Sequence, residues 1–479
     1  MNFISLRFLL FFVILFTVYY ITPKKFRYAV IFVGSYVFYG AFSLKYLIIL
    51  GATTLLTYVG GIALEKKKSR GVYALFLILN ISILVVFKYT NFAIANINKL
   101  FSTDIAALNL ILPVGLSFYI FMSTTYLSDI YRKDFKAERN VIRYAAFVAF
   151  FPSILSGPIN KSRNLLPQLK EPRDFDADRA IAGFILFSWG LFEKTMVSNR
   201  LLVIIDRVYN DYQSYTGAYL LIAAICFSLY IYADFSSYSD MARGISKMLN
   251  IEIDRNFNNP YISTSTGEFW NRWHSSLNEW FVEIVYIPLG GNRKGVLRKY
   301  LNVMIVFFIS GLWHGAAWNF IAWGVINGIF VVIGQILKKP KSRFYEKIQV
   351  DEKCTSIRFI RQVIVFMLIT ITWVFFRNGI HESLYIIRHM LIFTPSRLLN
   401  PDLLNLGGDT AKTFITMLGL GIFTAVQIAR KDESGKYALF KKQPVFLQTL
   451  LIALVLCIGI YASFSGSTEQ NTQFLYFKF

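Results

Sequence analysis

The chain has 479 residues, 55% of them hydrophobic and only 16% charged, with a formal net charge of +22. That balance excludes a soluble globular protein, and apolar runs of span length recur from one end to the other, so the chain reads as an all-α polytopic membrane protein. The runs are continuous rather than alternating, which excludes a β-barrel. Basic residues sit in short loops between spans, where they set orientation instead of binding nucleic acid. Cys226, Cys354 and Cys457 lie far apart, with neither a disulfide framework nor zinc-ligand spacing, so no metal site is expected.

In chain order, spans are expected at 2–22, 26–41, 44–63, 71–89 and 112–131. The first run is too long for a signal peptide, and no small-residue cleavage site follows it. The loops holding Lys24, Lys25 and Arg27, residues 65–70 and residues 132–143 are basic, whereas loops 40–45 and 90–110 are not. Basic loops mark the cytoplasmic side, which puts the N-terminus outside. Residues 140–158 are apolar but flanked by basic segments at both ends. That is the pattern of a re-entrant or interfacial segment whose irregular backbone is buried by protein. Spans at 180–203 and 217–235 precede a cytoplasmic stretch, 236–299. After the segment 301–337, spans are expected at 362–376, 411–429 and 445–464, with basic loops at 338–361 and 430–442. The outer region 377–410 contains His381 and His389, which lack a third ligand at metal spacing and are assigned to loop structure. The tail from Ser465 falls outside.

Segment 301–337 is long enough for two short spans or a re-entrant hairpin, and its only ionisable side chain is His314. An ionisable group at depth is costly and marks a functional site by default; the bland alternative is a core histidine bonded to a neighbouring carbonyl. Gly311, Gly315, Ala316 and Ala317 allow close approach around it, and Trp313, Trp318 and Trp323 supply walls. His314 is therefore the leading catalytic candidate.

The stretch 236–299 carries a second constellation. Ser265 and Glu268 have capping-box spacing. The helix they start would carry an apolar stripe of Trp270, Trp273, Leu277, Trp280, Phe281 and Ile284, with Arg272, Glu279 and Glu283 opposite and Asn271, His274 and Asn278 along the edge. Such a helix suits the membrane interface, with His274 either functional or a cap for a neighbour. The following IPLGGNRKG is a glycine turn where Arg293 and Lys294 could hold phosphates, although positive-inside loops look the same.

NPYISTSTGEFWNRWHSSLNEWFVEIVYIPLGGNRKG followed by SGLWHGAAWN resembles the membrane-bound O-acyltransferase superfamily, in its bacterial alginate and peptidoglycan O-acetyltransferase branch. PVGLSFYIFMSTTYLSDIYR and FFPSILSGPI fit as well, so the likeness covers most of the chain. It implies a ring of about 11–12 transmembrane helices with re-entrant segments, around a central floor reached by a funnel from either face. The chain would form one membrane domain, 1–479: N-terminal spans 1–131, a catalytic core 132–337, C-terminal spans 338–464 and an extracytoplasmic tail 465–479. His314 matches the family's catalytic histidine and His274 its second motif histidine. Acetyl-CoA is implied as acyl donor substrate, with no bound cofactor. Trp313, Asn271, Asn319, Arg293 and Lys294 are the candidate substrate or donor contacts, Asn319 being able to orient the imidazole or stabilise an oxyanion.

A histidine at depth can take a proton from a hydroxyl arriving from outside while a thioester is presented from the cytoplasm. The ending Phe474-Leu475-Tyr476-Phe477-Lys478-Phe479 resembles the aromatic ending of the small membrane partner in teichoic-acid D-alanylation, whose tyrosine is proposed to carry the acyl group. By analogy Tyr476 would accept the acetyl group and pass it to an extracytoplasmic SGNH/AlgX-like O-acetyltransferase or relay protein, with a polysaccharide as final acceptor. The alternative is an aromatic terminus that anchors at the interface. The expected setting is the bacterial cytoplasmic membrane, with lipids as neighbours and both termini outside. Two other classes stay open: a family member that acylates a lipid or protein hydroxyl directly, and a transporter or flippase, for which internal repeats are missing.

Overall fold

The structure, a computed structural model, describes residues 1–352, 354–392, 406, 410–429, 442–450, 453, 457 and 474. Tyr476 and most of the expected span 445–464 lie outside the described residues. Every regular element among the described residues is helical. Among the described residues seven helices are long and apolar enough to cross a membrane, and two shorter apolar helices accompany them. The chain forms two compact units that are not sequential domains.

The first unit comprises Met1–Leu191, Ser237–Arg255 and Thr449–Lys478. It opens with α1 (Leu6–Ile21), α2 (Arg27–Gly40), α3 (Leu44–Lys66), α4 (Arg70–Phe101) and α5 (Leu116–Arg132). The starts follow cap chemistry: the Ser5 hydroxyl accepts from Phe8 N at 3.2 Å and that of Ser69 from Gly71 N at 3.2 Å. α5 is buried along most of its length. It carries Asp129, which takes the Ser162 hydroxyl at 2.7 Å and the Arg163 guanidinium at 2.9 Å. The expected re-entrant segment is a short helix, α6 (Val141–Val148), capped by Asn140 and followed by irregular, wholly buried backbone through residue 161. Phe151 N there donates to Ser35 at 3.1 Å, the kind of internal satisfaction that buried irregular backbone requires. α7 (Ser162–Lys170) and most of α8 (Ala177–Phe192) complete the unit. Phe474, the described residue of the tail, is buried edge-on against Tyr238, which also stacks on Phe3.

The second unit comprises Phe192–Ser236 and Asn256–Gln448. After a π-helical turn, Glu193–Ser198, come α9 (Asn199–Tyr209) and α10 (Ala218–Met248). α10 runs well past the expected span at 217–235, so the stretch 236–299 begins as helix. The π-turn buries Lys194, whose ammonium donates to Asp234 at 2.6 Å with Ser198 on the same oxygen at 2.9 Å, and Glu193, which takes Ser236 at 2.9 Å. Such a group survives at depth only when paired in this way.

The helix expected from Ser265 through Ile284 is broken. α11 (Thr266–Arg272) ends at Trp273, and α12 (Ser275–Phe281) starts from His274, whose φ of 44° and ψ of 52° lie in the left-handed region. The capping box holds in altered form: Ser265 accepts from Glu268 N, while the Glu268 carboxylate reaches back to Thr264 N at 2.8 Å. The tryptophan stripe faces protein rather than the membrane interface, with Trp273 and Trp280 buried. Segment 301–337 is two helices, α13 (Val296–His314) and α14 (Trp318–Ile336), followed by α15 (Lys338–Lys347), α16 (Thr355–Arg377), α17 (Ile380–His389) and α18 (Thr410–Ala429). His389 caps its helix locally: its ring stacks on Tyr385 and its Nδ1 bonds the Tyr385 carbonyl at 2.8 Å.

Candidate active site

α13 and α14 approach so closely because glycines face one another. A Cβ at Gly324 would collide with the Phe307 carbonyl and lie 3.0 Å from Gly311 Cα; one at Gly311 would collide with the Phe320 carbonyl. Small residues bring membrane helices into backbone contact, and here they set the end of α13 at its turn into α14. His314 is the last residue of α13. Its ring stands edge-on to Trp323 at 4.9 Å and to Phe376 at 5.1 Å, next to Trp313 at 4.6 Å. Asn319 donates to the Phe375 carbonyl at 3.1 Å, so it ties α14 to the turn of α16 that carries Phe376. The Thr372 hydroxyl, donating to the Asn327 side-chain oxygen at 3.5 Å, bridges the same two helices about two turns along α14.

The broken helix delivers His274 to the same place. A cavity of about 50 Å³ is lined by both His274 and His314, with Trp270, Trp273, Asn278 and Ser310 among its walls. Trp313 packs against both imidazoles, its ring 4.6 Å from that of His314 and 6.3 Å from that of His274. His274 lies outside the long apolar helices, and burial pushes its pKa down from 6.5 to about 3, which keeps it neutral.

Two larger pockets adjoin the inner cavity in turn. A passage of about 230 Å³ shares Trp270, Asn278, Val306 and Phe307 with it and adds Asn271, Tyr286 and Gln335. A chamber of about 770 Å³ shares Gly267, Asn271, Val331 and Gln335 with the passage, and its walls include Lys338, Lys341, Arg361, Glu268 and Glu352. Arg361 pairs with Glu352 at 2.6 Å and lies over the Tyr345 ring at 5.0 Å; the guanidinium holds the Glu352 carboxyl below its usual range. About 15 residues, or roughly 22 Å at the helical rise, separate Trp323 beside His314 from Lys338 at the chamber.

Of the residues expected from sequence, His314, His274 and Asn271 line these adjoining pockets, and Trp313 packs beside both imidazoles without lining them. Arg293 and Lys294 do not line it; they are exposed on the turn between Gly290 and Gly295. Lys338, Lys341 and Arg361 were hidden in a basic loop and helix start that read only as orientation signals.

The model of the membrane-bound O-acyltransferase family matches residues 132–378, which include α11 to α14 and the chamber. The chain belongs to that family. It is 31% identical to a probable alginate O-acetylase of Pseudomonas putida over 96% of each chain. It is 34% identical to one of Azotobacter vinelandii over 75% of this chain and 71% of that one. A peptidoglycan O-acetyltransferase of Helicobacter pylori is 30% identical over 93% and 90%. Membership makes the chain a multi-pass membrane O-acyltransferase. For an O-acyltransferase the geometry has chemical sense: a buried imidazole lines a small, largely aromatic cavity, and a larger chamber with charged walls is linked to it through an intervening, mostly apolar pocket that carries a few amides. Among the described residues no cluster of His, Cys, Asp and Glu could hold a metal ion.

Proposed function

We propose that the protein is a membrane O-acetyltransferase that moves acetyl from cytoplasmic acetyl-CoA, by way of Tyr476, to an extracytoplasmic partner that O-acetylates an envelope or secreted polysaccharide. The observation that carries the reading is the cavity lined by His274 and His314 with its staged connection to a basic chamber. The nucleotide phosphates of the donor suit Lys338, Lys341 and Arg361, and the distance from there to Trp323 matches an extended pantetheine arm. Asn271, Asn278 and Gln335 offer amides to that arm along the passage.

In the transfer, His314 removes the proton from the accepting hydroxyl, the oxygen attacks the thioester carbonyl, and the C–S bond breaks. The departing thiolate takes the proton back from His314, so the imidazole ends neutral and free CoA leaves. Tyr476 supplies that hydroxyl and holds the acetyl as an ester until a partner hydroxyl displaces it. Support for the tyrosine rests on its tail motif and on loop charges that put both termini outside the cytoplasmic membrane. Relatives named for alginate and for peptidoglycan make both polymers candidates for the final acceptor.

The test is peptide mass spectrometry on the purified protein after incubation with labelled acetyl-CoA, for the wild type, His314→Ala and Tyr476→Phe. Label on Tyr476 in the wild type, absent from both variants, is the expected result. CoA release with Tyr476 never labelled would sink the relay. No thioester consumption, even with the outer partner added, would sink the donor.

A further inference from the structure

Asn256 opens the segment that crosses beneath the break between α11 and α12. Its backbone carbonyl accepts from Ser275 N at 2.9 Å, and two residues on Asn258 N donates to the Arg272 carbonyl at 2.9 Å. Those bonds take up backbone groups that an unbroken helix would use internally, and they hold His274 in its left-handed conformation. Histidine is one of the few side chains that visits this region without prohibitive cost. The Asn256 side chain is buried, and its Oδ1 accepts the Ser276 hydroxyl at 2.6 Å while facing His274 Nδ1 at 3.3 Å. Phe235 stands edge-on against the same imidazole at 4.6 Å, closing another side.

An amide oxygen only accepts, so the nitrogen facing it must carry the proton. We propose that Asn256 is a positioning residue that locks His274 as its Nδ1–H tautomer, leaving Nε2 as a lone-pair acceptor for the pantetheine amide N–H nearest the donor's thioester. This rests on the thioester-donor reading above. The burial that keeps His274 neutral acts in the same direction, because an imidazolium has no lone pair to offer. The division of labour is then clear: His314 moves the proton, and His274 fixes where the thioester sits.

The experiment is steady-state CoA release from acetyl-CoA by the full-length protein, comparing wild type, Asn256→Ala and Asn256→Asp between pH 6 and 9. Asn256→Ala frees the tautomer and is expected to raise the donor KM about tenfold, the equivalent of one hydrogen bond, with a smaller change in kcat. Asn256→Asp keeps an acceptor at Nδ1 and restores KM at pH 9. Its carboxylate also raises the His274 pKa, so KM climbs as the pH falls, a limb that the wild type lacks. An Asn256→Asp enzyme no better than Asn256→Ala at pH 9, or an Asn256→Ala enzyme with unchanged KM and lowered kcat, overturns the assignment while the donor stands. A wild type that releases no CoA overturns the donor reading itself. The chain has four histidines, so ¹⁵N-histidine spectra of the intact protein, with His274→Asn to identify the signal, give a readout apart from turnover. Loss of the Nδ1–H signature at His274 in Asn256→Ala is expected, and a wild type showing the Nε2–H form refutes the lock.

Discussion

The position of His314 depends on a contact made of glycine, and Gly324→Ala tests that dependence. A methyl group at 324 collides with the Phe307 carbonyl and comes within 3.0 and 3.1 Å of Gly311 Cα and N, so every nearby listener is backbone and none can rotate aside. α14 must move away from α13. Overpacking of this kind costs about 1–3 kcal/mol. Gly311 lies one turn before His314, and the shift therefore reaches the imidazole directly. A displacement of about 1 Å in a catalytic group can lower turnover about a hundredfold. Lys338 and Lys341 follow the far end of α14, about four turns or more from Gly324, and Arg361 is on α16, so the donor KM is expected to hold while kcat falls. The assay is CoA release from acetyl-CoA, paired with thermal unfolding in detergent. Gly51→Ala is the matched control: nothing lies within 4 Å of a Cβ there, and removing a glycine from the interior of α3 should be neutral or stabilise by up to about 1 kcal/mol. A Gly324→Ala enzyme with kcat within a few fold of the wild type would refute the claim that this contact sets the histidine.

Three further outcomes are expected. His274 is buried neutral with a pKa lowered from 6.5 to about 3, so between those values the unfolded chain binds more protons and stability falls as the pH falls; His274→Asn, which tolerates the left-handed backbone, should flatten that acid limb of the unfolding temperature. Lys194→Met alone strands Asp234 and should cost about 3–5 kcal/mol, whereas Lys194→Met with Asp234→Leu should recover most of the loss in the same unfolding assay. Arg361→Ala should raise the KM for acetyl-CoA and leave that for acetyl-pantetheine, which lacks the nucleotide, unchanged; equal effects on both substrates would move the phosphates elsewhere.

The spans were legible because long apolar runs leave a helix few alternatives in lipid. His314 was legible for a related reason, as the lone ionisable group in such a run. The end of α10 was not: Asp240 and Arg243 fall in the stretch expected to be cytoplasmic, yet both are buried in α10 and lie 3.7 Å apart. Nor was the break at His274. Residues 265–284 contain no proline, their one glycine sits in the first turn, and the apolar stripe is continuous at helical spacing. The interruption comes from a distant segment, residues 256–258, whose backbone competes for the helix's own hydrogen bonds. The chamber was hidden because Lys338, Lys341 and Arg361 have the composition of any cytoplasmic loop, and only folding gathers them around one space.

The aromatic walls of the inner cavity also act as a ruler. A space of about 50 Å³ compares with the 10–15 Å³ or so that one water needs, so it admits an acyl group of a few heavy atoms. Trp270, Trp273, Phe281 and Phe307 close it with rigid rings. Each added methylene on the acyl chain must displace one of them, and a misfit methylene is worth about 1–3 kcal/mol in discrimination. Thioesters with long chains are abundant in any cell that builds membranes. On the proposed reading, a cavity of this size would exclude them and leave the shortest acyl group as the one passed on.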